Sequence, residues 1–131
     1  MVQEEVADRL ASGPGSRSYG ALSAWVQSFA GVRKLFSVSP GSFRPRPKVR
    51  SAVVRLDFFS RDACARNPED LSRVLRICFA SRRKQLGRIL KDYDRLELEA
   101  WAEEVGVSLS DRPERLGPKA FQSLSQALFR R

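Results

Sequence analysis

The sequence predicts an α/β fold that gives way to an all-α one, with the last strands of a larger sheet over residues 1–60 and a small helical bundle over residues 61–131. Three observations predict it. Residues 1–60 hold short β-type runs separated by Gly- and Pro-rich turns. From Asn67 onward the apolar residues recur with a helical period instead. The first part, read as strand–helix–strand–strand, also leaves one sheet edge unpaired and one face thinly covered, so it resembles the end of a larger sheet.

Residues 2–6 read as a short strand running into an amphipathic turn at Val6, Leu10 and Ala11. Residues 12–16, Ser-Gly-Pro-Gly-Ser, are a loop by composition. Residues 19–30 read as a helix burying Leu22, Trp25, Val26 and Phe29, with Gly31 at its C′ position. Residues 32–38 read as a strand that Pro40 and Gly41 end, and residues 51–59 as a buried, β-branched strand. Asn67-Pro68-Glu69-Asp70 then has the chemistry of a helix start: an N-cap, proline at N1, acids in the first turn. Leu71, Val74, Leu75, Cys78 and Phe79 give that helix one apolar face. Further helices are expected over residues 82–91, burying Leu86, Ile89 and Leu90, and over 95–105, burying Leu96, Leu98, Trp101, Ala102 and Val105, with Gly106 as the stop. Residues 107–117 read as a loop, and Pro118 opens a last helix burying Phe121, Leu124, Ala127 and Leu128.

At 131 residues, 42% hydrophobic and 30% charged, the chain has globular composition, and no apolar run approaches the roughly 20 residues needed to span a bilayer. Its acidic start lacks the features of a signal peptide, so no membrane partner and a cytoplasmic location are expected. The absence of histidine excludes a His general base, a Ser-His-Asp triad and a Cys/His zinc site. No metal is expected. Of the two cysteines, Cys78 is expected as a buried free thiol and Cys64 as a loop thiol. Tyr19 and Trp25 are read as packing residues. Glu4 and Glu5 are rejected as a carboxylate pair, because neighbours in a strand point to opposite faces.

The net charge of +9 is unevenly placed. Residues 1–56 carry nine Lys/Arg against three acids, residues 61–91 repeat that ratio, and residues 92–131 hold six against eight. Two basic zones and a neutral-to-acidic tail point to a polyanion, most simply nucleic acid. The first zone centres on residues 41–56. There Pro45 and Pro47 stiffen a loop that places Phe43 beside Arg44, Arg46, Lys48 and Arg50. Such a loop suits stacking on a base while binding phosphate, and it equally suits an aromatic that plugs the core. In the second zone Arg82, Arg83 and Lys84, with Arg88 and Lys91, are read as one side of a helix opposite Leu86 and Leu90, either as phosphate contacts or as a solvated face.

Four blocks, in order and over nearly the whole chain, carry a resemblance. They are Gln3-Glu-Glu-Val-Ala-Asp-Arg-Leu10, Gly15-Ser-Arg-Ser-Tyr-Gly-Ala-Leu-Ser23 with Gln27, Phe43-Arg-Pro-Arg-Pro-Lys-Val-Arg-Ser-Ala-Val-Val-Arg-Leu56, and Phe79-Ala-Ser-Arg-Arg-Lys-Gln-Leu86. The chain resembles the C-terminal half of the small-subunit ribosomal RNA adenine dimethyltransferases. Members transfer methyl groups from S-adenosylmethionine to two adjacent adenines. The resemblance implies that residues 1–60 are the terminal strands of a Rossmann-like methyltransferase sheet and that 61–131 are the helical rRNA-docking domain. It makes Phe43 one wall of the pocket for an extruded adenine. It also assigns rRNA contact to Arg44, Arg46, Lys48, Arg50, Arg82, Arg83, Lys84, Arg88 and Lys91. Arg46 and Arg50 stand where the family pattern has proline and aspartate, which makes this loop more cationic.

The family's other motifs do not occur in the sequence. There is no glycine-rich turn after a first strand and no acid closing a second, the pair that would hold S-adenosylmethionine. The amine-orienting Asn-Leu-Pro-Tyr loop is missing too, since the one asparagine, Asn67, precedes Pro-Glu. The resemblance therefore implies a chain that binds no cofactor and methylates nothing by itself, with Met1 matching an internal methionine of a longer ancestor. Its expected partner is small-subunit rRNA or the pre-30S particle, and it is expected to be a monomer. A non-catalytic RNA- or ribosome-binding module derived from the family is the second reading. A DNA-binding helical protein is the third.

Overall fold

Two acids following Gln3 favour a helix N-terminus over a continuing strand, because the helix dipole is positive there. Helix α1 accordingly occupies Glu4–Ala11 and buries Ala7 and Leu10, while strand β1 is only Val2–Gln3. The strand expected over residues 2–6 is thus corrected. The computed structural model describes residues 1–42, 44–46 and 48–129, and the order continues as α2 (Ala21–Gln27), β2 (Ala30–Val38), β3 (Ser51–Phe58), α3 (Pro68–Phe79), α4 (Leu86–Ile89), α5 (Arg95–Val105) and α6 (Pro118–Phe129).

The strands form one antiparallel sheet in the order β1-β3-β2. Lys34 pairs with Val54 and Phe36 with Val53, so Leu35 is an extra residue that bulges out of β2. Cross-strand partners share a face. Val2, Lys34, Ser37, Ala52 and Val54 therefore lie together, and α1 covers them: Lys34 Nζ is 2.9 Å from Asp8, and Ser37 donates to Glu4. The opposite face is open and sets Arg33 directly across from Arg55. The expected burial of the strands is corrected here. In β3 only Ala52 is buried, while Leu56 and Phe58 are exposed, as are Leu35 and Phe36 of β2.

The face expected of the helix over residues 19–30 holds in part: Trp25 and Phe29 are half-buried against the core, but Leu22 is exposed, and Ser23, Ala24 and Ser28 are fully buried. Hydrogen bonds make this possible, since a buried hydroxyl costs little once paired. Ser23 Oγ donates to the Arg9 carbonyl, Ser28 Oγ to Ala24 at 2.7 Å, and Gln27 Nε2 to the carbonyls of Leu10 and Ser12 at 2.8 and 2.7 Å. The helix also stops at Gln27, so Gly31 is not its cap but the second residue of β2.

The helical half matches its periodicity more closely. Leu71, Val74, Leu75 and Cys78 of α3 are buried with Leu98 and Trp101 of α5 and Phe121 and Leu124 of α6. Tyr19 and Ala24 join this core from the other half of the chain. At about 1.5–3 kcal/mol per fully buried large side chain, these residues dominate the fold's stability and the thinly buried sheet adds little. Gly106 closes α5 in the left-handed region at φ 75°, and Asp94 caps its start by accepting from the amides of Leu96 and Glu97. Leu96 itself is exposed, against expectation. The helix expected over 82–91 shrinks to α4. The amides of Leu86 and Gly87 donate to the carbonyls of Asp111 and Leu109 at 2.8 and 2.9 Å, which removes them from any upstream helical ladder.

Candidate nucleic-acid interface

Both basic zones are on the surface, and the fold holds them in different ways. The first is the connection from Val38 to Ser51, which begins with a 3-10 turn at Pro40–Ser42. Arg44, Arg46, Lys48 and Arg50 are all exposed on it. Phe43 and Pro47 lie outside the described residues, so the stacking role expected of Phe43 stays an expectation from the sequence.

Glu4 anchors this loop. Its amide donates to the Arg50 carbonyl at 2.9 Å, and its carboxylate accepts from Ser37 and lies 3.5 Å from Lys34 and 3.8 Å from the Arg50 guanidinium. The Ser37 hydrogen bond, helped by the Lys34 and Arg50 charges, holds the Glu4 carboxyl below its ordinary range. Lys34 is shifted up in turn, chiefly by its hydrogen bond to Asp8. Glu4 and Glu5 are not a catalytic pair, although the reason differs from the strand argument. They are helical neighbours; Glu4 serves this network and Glu5 pairs with the exposed Arg9 at 3.1 Å. A cavity of about 390 Å³ lies between α1 and the loop, lined by Gln3, Glu4, Asp8 and Arg50 among others.

The second zone follows α3. Arg82, Arg83 and Lys84 form a turn and not a helical face, with the Lys84 amide donating to Ser81 at 2.9 Å. The three cations divide by environment. Arg82 is half-buried; it donates to the Tyr19 carbonyl at 3.0 Å and to Glu114 at 3.3 Å, and its guanidinium stands 5.9 Å from the centre of the Phe79 ring. Arg83, Lys84, Arg88 and Lys91 are exposed, and no ion pair engages them among the described residues. Around Arg82, the Gly15 amide donates to the Glu114 carbonyl at 2.7 Å and the Tyr19 hydroxyl to Leu116 at 2.7 Å. Burial shifts the Tyr19 hydroxyl upward, which keeps it a neutral donor. Two sequence blocks far apart in the chain, 15–23 and 79–86, thus meet at one clasp.

Sequence reasoning missed Glu114 and Lys34, because single charges in a short 3-10 turn and a strand carry no pattern. Helix α1 follows β1 with no glycine turn between them, and the Glu4 carboxylate at that edge is already engaged. Among the described residues no cluster of three or more metal-ligating side chains occurs, and no helix is long and apolar enough to cross a membrane.

The family model for ribosomal RNA adenine dimethylase matches residues 1–128. The chain is 48% identical over 128 residues to the ribosomal RNA small subunit methyltransferase A of Maridesulfovibrio salexigens, covering 98% of this chain and 49% of that protein. It is likewise 48% identical over 126 residues to the protein of the same name from Lawsonia intracellularis, covering 96% and 46%. The chain spans about half the length of the curated relatives it matches. Among solved structures, a dimethyladenosine transferase from Plasmodium falciparum aligns with a TM-score of 0.74 at 25% identity, over 93% of this chain and 53% of that one. The 23S rRNA methyltransferase ErmE shares the fold alone, with a TM-score of 0.66 at 22% identity over 96% and 52%.

Proposed function

Since the chain belongs to the ribosomal RNA adenine dimethylase family, we propose that it is the C-terminal portion of an S-adenosylmethionine-dependent small-subunit rRNA adenine dimethyltransferase. In this reading residues 1–60 end the methyltransferase sheet and residues 61–131 dock on rRNA. The observation that carries it is the run of four family blocks in family order, and the β1-β3-β2 sheet fits the end of such a fold.

Methylating a base amine requires the base to leave its stack and be held flat. Phe43 supplies one wall, and stacking on an aromatic is worth about 1–3 kcal/mol per base. Arg44, Arg46 and Lys48 hold the flanking phosphates, while Arg50 ties the loop to Glu4. Arg83, Lys84, Arg88 and Lys91 grip rRNA phosphates further along. Arg82 sets the shape of that surface through Tyr19 and Glu114. The cofactor's chemistry, methyl donation, belongs to residues that this chain does not contain, and the chain acts as a cytoplasmic monomer that methylates only with them.

Binding to an rRNA 3′-end hairpin over a salt series tests the reading. Affinity should fall with a logarithmic slope of about −0.7 to −0.9 per phosphate contacted. Equal affinity for duplex DNA would overturn rRNA docking. Micromolar binding of S-adenosylmethionine by this chain alone would overturn the partition of the site. Tight rRNA binding with no methylation even beside a cofactor-binding half would favour the second reading, a non-catalytic RNA- or ribosome-binding module.

A further inference from the structure

A cavity of about 500 Å³ lies where the start of β2, the ends of α1 and α2 and the first turn of α6 converge. Its size is that of a small-ligand site. Strand β2 begins beside it at Ala30 and ends at the basic loop. Nine residues at about 3.3 Å each place the two sites roughly 25 Å apart. The cavity is therefore separate from the interface already described.

Its lining has the parts of a nucleotide site. Phe59 stands at the end of β3, 40% exposed, with one ring edge 4.0 Å from the position a Cβ on Gly31 would take. The Cε1 edge of the ring is thus the part near Gly31 of β2, and Phe59 is among the residues that line the cavity. Gln27, Gln122 and Lys119 are among its lining residues, and Lys119 is exposed with no ion pair among the described residues. The two amides are not equivalent. Gln27 spends its Nε2 on the carbonyls of Leu10 and Ser12, so toward a ligand it offers only an acceptor. The Gln122 amide has no hydrogen bond among the described residues and offers both donor and acceptor.

We propose that this cavity binds an adenine nucleotide, either free or as an unpaired residue of an RNA strand. Phe59 stacks on the base. Gln122 makes the paired donor–acceptor contact that a glutamine makes to the adenine amine and ring nitrogen. Gln27 takes the amine's second hydrogen, and Lys119 meets the phosphate. Guanine, with O6 in place of the amine, would set an acceptor against the Gln27 acceptor. Uracil would lose stacking area and has no exocyclic amine.

The test is an NMR titration of this 131-residue chain with AMP, UMP and inorganic phosphate, followed by single-stranded oligo(A) and oligo(U). AMP should saturably shift the side-chain amides of Gln27 and Gln122 and the backbone around Lys119. UMP should bind at least about fivefold more weakly, and Phe59→Ala should weaken AMP by about tenfold, within the range for one lost stack. Gln122→Leu is the second variant, its fold checked by circular dichroism, and it should reduce the preference for AMP over UMP to the part that stacking on Phe59 and the Gln27 acceptor supply. Equal effects of AMP, UMP and phosphate would overturn the proposal, as would AMP binding that neither variant changes. Oligo(A) acting well below the AMP concentration identifies RNA as the source; the reverse identifies the free nucleotide. Arg83→Glu should leave AMP binding unchanged, so failure here and failure of rRNA docking are read separately.

Discussion

Replacing Arg82 or Arg83 with alanine removes the same charge one residue apart, yet the consequences should be opposite in kind. Arg82 donates to the Tyr19 carbonyl at 3.0 Å and pairs with Glu114 at 3.3 Å, with side-chain exposures of 39% and 31% for the ion pair. The ion pair is partly screened and contributes at most about 1 kcal/mol. The charged hydrogen bond to a carbonyl of a buried residue contributes about 1.5 kcal/mol, and its loss leaves that carbonyl unpaired. Together they predict a loss of about 2 kcal/mol for Arg82→Ala. Arg83 is exposed, so Arg83→Ala should change stability by no more than about 0.5 kcal/mol. It should instead reduce the salt slope of rRNA binding by about 0.7–0.9, the signature of one lost phosphate contact. Urea unfolding followed by circular dichroism measures the first effect, and fluorescence anisotropy over a salt series the second. If Arg82→Ala unfolds at the wild-type midpoint, or Arg83→Ala is the less stable of the two, the division between clasp and contact is refuted.

Gly106→Ala should cost about 1 kcal/mol in denaturant unfolding; nothing lies within 4 Å of the added Cβ, so the cost is the left-handed backbone alone. The Glu4 carboxyl is depressed in the folded state, so its contribution is complete above the ordinary value of 4.5 and is lost as pH falls through the lower folded value. Glu4→Gln should flatten that acid limb of the stability curve, and an unchanged limb would rule out the network as its source. Burial pushes the Cys78 thiol up to about 12. At mildly alkaline pH an alkylating reagent should therefore modify half-buried Cys64 first and reach Cys78 only on unfolding, as peptide mass mapping would show.

What could be read without coordinates depended on whether local chemistry decided the outcome. Helix α3 was legible because Pro68, Glu69 and Asp70 start it and its apolar spacing is its buried face. Even there Asn67 occupies the N-cap without a side-chain hydrogen bond, so its residue type signalled a position and not a bond. Helix α2 was legible only in part: Trp25 and Phe29 do meet the core, but Ser23, Ser28 and Gln27 find distant or backbone partners, and no spacing rule anticipates paired polar burial. The 82–91 segment failed for the same reason, since carbonyls more than twenty residues away capture its amides. In the candidate interface, the exposed cations were legible from charge placement. The separate fate of Arg82 was not, because Glu114 lies in a short 3-10 turn, Pro113–Arg115, 32 residues away.

The bulge at Leu35 bears on how relatives of this chain can be compared. Lys34 keeps Val54 and Phe36 keeps Val53, so the ladder is regular on both sides of one unpaired residue. Removing Leu35 would close the ladder without changing any other pairing, and the strand would deliver Val38 to the same neighbour, Ser51. A single-residue gap in an alignment at this position therefore carries no shift of the basic loop. Sequences with eight or nine residues in β2 can be compared position by position from residue 36 onward.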